Sequence, residues 1–207
     1  MTLVPAKIIA INDGLIPEID PLFVELREQF PNNEVIHFPN SNEGLNYVLT
    51  NLNQKMVVLL DINFSPGEKS GYEVLEDIRK KTSLVYIIMM TVRNLSEIPL
   101  TKLVSMINND AVSLENSFNY SNVVNLVRDA MHKLDVRVDS VIEEWIMRHP
   151  PDKRNQVLIQ TKEGKSYTMD QILEAIRLRE PIGLEFEKNL LKLAIQIFSK
   201  QKLKTDD

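Results

Sequence analysis

Along the first 135 residues, short β-branched apolar runs alternate with longer segments of helical spacing, which predicts strands and helices in succession. KIIAI (7–11) reads as a buried strand. After the polar turn Asn12-Asp13-Gly14, Leu22, Phe23, Leu26 and Phe30 share one face of a helix predicted over 20–30. Residues 34–38 form a second strand before Pro39, and Asn40 with Glu43 has capping-box spacing for a helix carrying Leu45, Val48, Leu49 and Leu52. MVVLL (56–60) is apolar throughout, as a central parallel strand covered on both faces must be, and it ends at Asp61. A loop rich in Ser, Pro, Gly and Lys (65–71) leads to a helix through Tyr72, Val74, Leu75 and Ile78. VYIIMM (85–90), ended by Thr91, is the fourth strand; Ser96 caps the next helix, and residues 110–115 make a poorer fifth strand. Five β/α units in series predict an α/β fold, a five-stranded doubly wound parallel sheet with helices on both faces. In such sheets chemistry collects at the carboxyl ends of the strands.

The pattern changes after residue 120. Val123, Val127, Ala130, Leu134, Val138, Val141 and Trp145 recur at spacings of three and four, farther than one sheet needs to be covered. This predicts a long helix with Trp145 in the core or in a homodimer contact, or a helix that breaks near Asp139 and restarts with Ser140 and Glu143 as capping pair. Pro150-Pro151 ends it. VLIQ (157–160) and SYT (166–168), joined through Lys162-Glu163-Gly164-Lys165, read as a hairpin. Thr168 and Gln171 then cap a helix through Ile172, Leu173 and Ile176, which Pro181 stops. A last helix carries Phe186, Leu190, Leu193, Ile197 and Phe198 before a frayed end. The organisation expected is one domain over 1–135, a helical linker over 136–151 and a small C-terminal α+β unit over 152–207.

Composition narrows the chemistry. The 207 residues, 43% hydrophobic and 26% charged, suit a folded chain with one larger and one smaller core. With no cysteine there is no disulfide, thiolate metal site or cysteine nucleophile, so a metal would rest on oxygen or on one of three histidines. The lack of a long apolar stretch or signal-like start predicts a cytoplasmic protein with no membrane contact. Residues 150–207 hold eleven basic and nine acidic side chains, a balance of +2, against thirteen and twenty, or −7, in residues 1–149. The acidic first part is unsuited to a phosphate backbone. The tail lacks a basic helical face, so DNA binding is not expected.

Asp13 follows the first strand, Asp61 ends the third and Thr91 ends the fourth, which sets all three at one rim of the sheet. With IIAIND (8–13), VVLLDINF (57–64), GYEVLEDIR (71–79) and IIMMTV (87–92) in this order and spacing, residues 7 to about 134 resemble the receiver domain of two-component response regulators. The resemblance implies a flavodoxin-like fold and a non-enzymatic place in a phosphorelay. By it, Asp61 takes a phosphoryl group from a histidine kinase or phosphotransfer protein to give an acyl phosphate. It also implies Mg²⁺ on Asp13, Asp61 and the backbone carbonyl of Asn63, with Asn12 one layer farther out. Thr91 would bond a phosphoryl oxygen and, by moving, bias a two-state rearrangement.

The sequence departs from that pattern at several points. Receivers usually open this rim with two acids, where this chain has Asn12 before Asp13. Aligning LENSF (114–118) on the family's Lys-Pro-Phe region puts Asn116 at the lysine position and Ser113 at the aromatic switch position. An amide supplies no cation, and charge-assisted hydrogen bonds are roughly twice as strong as neutral ones. The loop from Asp61 to Gly71 is longer than the commonest form. A phosphorylation-independent scaffold that binds protein partners therefore stands as the alternative. A haloacid-dehalogenase-like phosphatase would need a second acid two residues beyond Asp61, where Asn63 cannot exchange a proton. Asp61 also suits a turn cap, and Thr91 an ordinary strand position. His37, His132 and His149 are scattered and read as surface or packing residues.

Overall fold

The computed structural model describes residues 5–92, 97–107, 112–161 and 163–200. The expected Ser96 cap, positions 110 and 111 of the fifth strand, Lys162 in the hairpin turn and the chain end after residue 200 lie outside them. The chain forms two compact units divided between Arg137 and Val138.

In the first unit strands and helices alternate: β1 (Lys7–Ile11), α1 (Pro21–Gln29), β2 (Val35–Phe38), α2 (Ser41–Thr50), β3 (Met56–Asp61), α3 (Gly71–Arg79), β4 (Tyr86–Thr91), α4 (Leu100–Ile107), β5 (Val112–Asn116) and α5 (Tyr120–Val136). The strands pair in the order β2-β1-β3-β4-β5, all parallel, which is the flavodoxin-like receiver arrangement. Side chains on a strand alternate faces, so β1, β3 and β4 must be apolar along their inner positions, 8–11, 56–60 and 86–90, to cover both layers. Ile8, Ala10, Val57, Leu59, Ile88 and Met90 pack with the α1 and α5 side chains. Ile9, Ile11, Val58, Leu60, Ile87 and Met89 pack on the opposite face with those of α2 and α3. Apart from Ala10, each of these buried side chains contributes about 1.5–3 kcal/mol of transfer free energy.

Local chemistry sets the helix starts. Asp20 accepts the Leu22 N–H at 2.9 Å, and Asn40 accepts those of Asn42 and Glu43 at 2.9 and 3.1 Å. A reciprocal box of Ser70 and Glu73, not foreseen in the sequence, opens α3.

The apolar run beyond Val123 is not one helix. Arg137 adopts extended backbone at φ −72° and ψ 128°, which ends α5, and α6 (Val138–Met147) begins at the next residue. The break falls before the predicted one at Asp139, and Ser140 lies inside α6. The second unit continues with α7 (Pro151–Arg154), the antiparallel pair β6 (Val157–Gln160) and β7 (Ser166–Thr168), α8 (Met169–Arg177) and α9 (Pro181–Lys200). Ile142 and Ile146 of α6 join Ile172, Leu173 and Ile176 in its core. Residues 138–147 therefore belong to this core, where a linker was expected, because their apolar stripe has α8 to cover it. The expected capping box of Thr168 and Gln171 starts α8. At Gly183, a Cβ would come within 2.6 Å of the Ala175 backbone, so the lack of a side chain there lets α9 lie close against α8. No described helix is long and apolar enough to cross a membrane.

Candidate functional site

Parallel pairing gathers the rim. Ile11 stands opposite Leu60, Leu60 opposite Met89, Asp61 opposite Met90, and Thr91 opposite Asn116. The residues that follow β1 and those that end β3, β4 and β5 thus emerge on one edge, which brings together Asn12, Asp13, Asp61, Thr91 and Asn116.

Asp61 is half-buried and held on both oxygens. Its Oδ1 accepts the backbone N–H of Ile62 at 2.7 Å and, at a longer 3.4 Å, that of Asn63. Its Oδ2 accepts from Asn12 Nδ2 at 3.1 Å. The Asn12 amide can turn only this way, because its Oδ1 already accepts the N–H groups of Gly14 and Leu15 at 2.7 and 3.0 Å. Asn12 thereby ties the end of β1 to the end of β3. Burial pushes the Asp61 carboxyl up to about 6, against the lowering effect of the Asn63 and Ile62 N–H groups and with a further upward push from the charge of Asp13. Among the described residues no cationic side chain contributes to that balance.

The loop after Asp61 folds back under tight constraint. Gly71 donates its N–H to the Ile62 carbonyl at 3.0 Å, and a Cβ at Gly71 would lie 2.0 Å from the Asp61 carbonyl oxygen. Within this loop Ser65 Oγ donates to Asp13 Oδ2 at 3.1 Å, and Glu68 accepts the Ser41 N–H at the start of α2 at 2.7 Å. The loop is therefore fastened to the acidic turn on one side and to a helix N-terminus on the other, where a carboxylate is favoured.

On the opposite side of the rim a third carboxylate, Glu115, accepts the Asn116 N–H at 2.8 Å. Thr91 is buried, and its carbonyl accepts the Ser117 N–H at 2.8 Å. Asn116 spends its side-chain oxygen on the Phe118 N–H at 2.9 Å. Ser113, at the switch position, bonds the Tyr86 hydroxyl at 3.0 Å, and Lys133 Nζ donates to the same hydroxyl at 3.1 Å. Ser113, Tyr86 and Lys133 thus form a polar trio.

The structure adds three residues to those read from the sequence. Ser65 and Glu68 sit in the loop recognised only by its composition, where nothing in the spacing marks what each will touch. His37, read as a packing residue, places Nε2 2.8 Å from the Asn12 carbonyl oxygen, and its ring meets Phe23 edge-on at 5.4 Å. Its position at the end of β2, beside the rim, is the one signal that could have found it.

Among the described residues no group of three or more His, Asp or Glu side chains could hold a metal. The rim offers two carboxylates, Asp13 and Asp61, and the charge of one raises the proton affinity of the other. One or two carboxylates with backbone oxygen and water is the donor set Mg²⁺ takes, and it is too sparse for an all-protein Ca²⁺ cage. The residues present therefore fit Mg²⁺, with one acid fewer than the receiver pattern supplies.

No family model and no curated protein matches this chain by sequence. Solved structures do match the fold. A signal receiver domain from Vibrio parahaemolyticus aligns with a TM-score of 0.52 at 13% identity, over 64% of this chain and 95% of that one. A response regulator receiver domain protein from Clostridium thermocellum aligns with a TM-score of 0.50 at 23% identity, over 63% and 98%. A structure described as an adenylate cyclase from Rhodopirellula baltica gives 0.50 at 18%, over 71% and 100%. At these identities the likeness is one of fold.

Proposed function

We propose that the first unit is a phosphoacceptor in a phosphorelay, taking a phosphoryl group on Asp61 from a phosphohistidine of a histidine kinase or phosphotransfer protein. The observation that carries this reading is the Asp61 carboxylate at the end of the central strand, oriented by the Ile62 N–H and the Asn12 amide beside Asp13. Oδ1 is committed to backbone N–H groups, so Oδ2, held by one neutral hydrogen bond, is the attacking atom. Its lone pair forms the new O–P bond while the P–N bond breaks, and the imidazole nitrogen keeps that electron pair. The Asn12 amide must release Oδ2 for this to happen.

Asp13, Asp61 and the Asn63 carbonyl would hold Mg²⁺, which when bound supplies the positive charge that offsets repulsion between the carboxylate and the incoming phosphoryl group. Thr91 offers a hydroxyl to a phosphoryl oxygen. Asn116 stands where a cation is usual, so phosphoryl capture here rests on neutral donors and is weaker than with a charged one. The acyl phosphate would then bias the arrangement of the rim and pass a signal to a protein partner or to the second unit.

Intact-mass measurement after incubation with Mg²⁺ and acetyl phosphate tests the reading. Wild type gains one phosphoryl group and Asp61→Asn gains none. Equal labelling of both removes Asp61 from the chemistry. No labelling of wild type, by acetyl phosphate or by a histidine kinase, supports the phosphorylation-independent scaffold in its place.

A further inference from the structure

The loop after Asp61 contains a short rigid piece whose two ends are fastened to different elements. Glu68 donates its N–H to the Ser65 carbonyl at 3.2 Å, which closes Ser65-Pro66-Gly67-Glu68 into a turn. Pro66 fixes its own φ and Gly67 sits at φ +96°, which is what a type II turn asks of its two central residues. A Cβ at Gly67 would meet nothing within 4 Å, so the glycine serves the backbone angle alone. At the leading end Ser65 Oγ donates to Asp13 Oδ2 at 3.1 Å. At the trailing end the Glu68 carboxylate accepts the Ser41 N–H at 2.7 Å, at the start of α2. The Gly71 N–H on the Ile62 carbonyl closes the base of the loop, and Phe64, between Asn63 and Ser65, packs against the core on the α2 and α3 side. The turn is thus a strut from α2 to the acidic residue that follows β1.

We propose that this strut positions the metal donors: Ser65 orients the Asp13 carboxylate, and Glu68, by holding the turn to α2, keeps Ser65 within reach of it. The inference rests on the reading of Asp13, Asp61 and the Asn63 carbonyl as the donors for Mg²⁺. Asp13 is exposed, and an exposed carboxylate on a turn rotates unless a partner holds it. Ser65 holds Oδ2, which leaves Oδ1, with no hydrogen-bond donor on it among the described residues, for the cation. A hydrogen bond that fixes the orientation of a ligating carboxylate is worth about 10–100-fold in metal affinity. The same strut restrains the Asn63 carbonyl, two residues ahead of Ser65 in the chain. Two departures from the receiver pattern then answer one another. Asn12 stands in place of one acid, so attraction for the cation depends more on how the remaining carboxylates are oriented, and the longer loop brings the hydroxyl that orients one of them. A hydroxyl competing with the cation for Asp13 would have the opposite effect, so the sign of the change on removing it decides between the two roles.

Binding of Mn²⁺, which takes the same oxygen donors as Mg²⁺, to the full chain tests this without any phosphorylation, read from the paramagnetic resonance of the free ion. Ser65→Ala raises the dissociation constant on the order of tenfold, and Ser65→Thr, which keeps the hydroxyl, binds as wild type does. Glu68→Ala and Gly67→Ala, neither of which removes a group that touches Asp13, weaken binding in the same direction. Glu68→Gln separates the tether from its charge: it keeps an acceptor for the Ser41 N–H, and it binds the ion as wild type does. In EDTA the urea midpoint of Ser65→Ala stays close to that of wild type, because the bond it loses is exposed. Tighter binding by Ser65→Ala overturns the proposal and makes Ser65 a competitor for Asp13. Unchanged binding by Ser65→Ala also overturns it, while leaving the donor set as read, and Glu68→Gln as weak as Glu68→Ala overturns the part given to the tether. A wild type that binds no Mn²⁺, or that loses no affinity on Asp13→Asn, overturns the donor set itself and the proposal with it.

Discussion

Replacing Asp61 with asparagine should stabilise the first unit at neutral and alkaline pH, and the size of the effect can be worked from the site. Burial lifts the carboxyl from 3.8 to about 6. A raised carboxyl means that the folded state prefers the protonated form, so this group's favourable contribution is present at low pH and is lost as pH rises through about 6. At pH 8 the displacement amounts to about 3 kcal/mol of destabilisation from the ionised form. Asparagine removes the charge and keeps an acceptor for the Ile62 N–H, but it presents a second amide to Asn12 Nδ2, which loses a bond worth about 1 kcal/mol. The net gain is about 2 kcal/mol at pH 8, or roughly 7 °C in the melting temperature of a unit this size. By pH 5 about half of the charge penalty is relieved and the gap shrinks to well under 1 kcal/mol. Calorimetry of the full chain in EDTA, following the first unit's transition from pH 5 to 8, measures both quantities. A variant less stable than wild type at pH 8, or a gap that does not change with pH, would refute the account of a half-buried carboxylate that its surroundings desolvate.

Other outcomes follow from the same geometry. Gly71→Ala drives a Cβ to 2.0 Å from the Asp61 carbonyl and should cost about 3 kcal/mol or more in urea unfolding, since backbone must move to admit it. Asn116→Lys places a cation at the rim and should speed labelling of Asp61 by acetyl phosphate; an unchanged rate would show that position 116 does not face the phosphoryl group. Ser70→Ala removes one half of the α3 capping box and should lower stability by about 1 kcal/mol, read from the shift in the urea midpoint. Asp77 is held down to about 2 by hydrogen bonds from Lys69 and Lys80. What it contributes is present above pH 4 and is lost as pH falls through about 2, so Asp77→Asn should flatten that acid limb of an unfolding curve.

The apolar patterning of KIIAI, MVVLL and VYIIMM was enough to establish a parallel sheet covered on both faces. A strand that shows no alternation cannot have one side in water, and three such strands between amphipathic helices leave one fold class. The rim was legible for the same reason: in a parallel sheet all carboxyl ends point one way, so Asp13, Asp61 and Thr91 had to share an edge whatever the detailed register. Tertiary structure alone decided what each of them touches there. That Asn12 turns its amide nitrogen to Asp61 depends on its oxygen being occupied by Gly14 and Leu15. That Ser65 reaches Asp13 and Glu68 reaches the start of α2 depends on the path of a loop with no periodicity to read. The break at Arg137 was equally hidden, because the apolar spacing runs through it, and which core claims each half depends on whether the partner surface lies in the sheet or in α8. Periodicity records which face of an element is dry; it carries no information about which distant surface keeps it so.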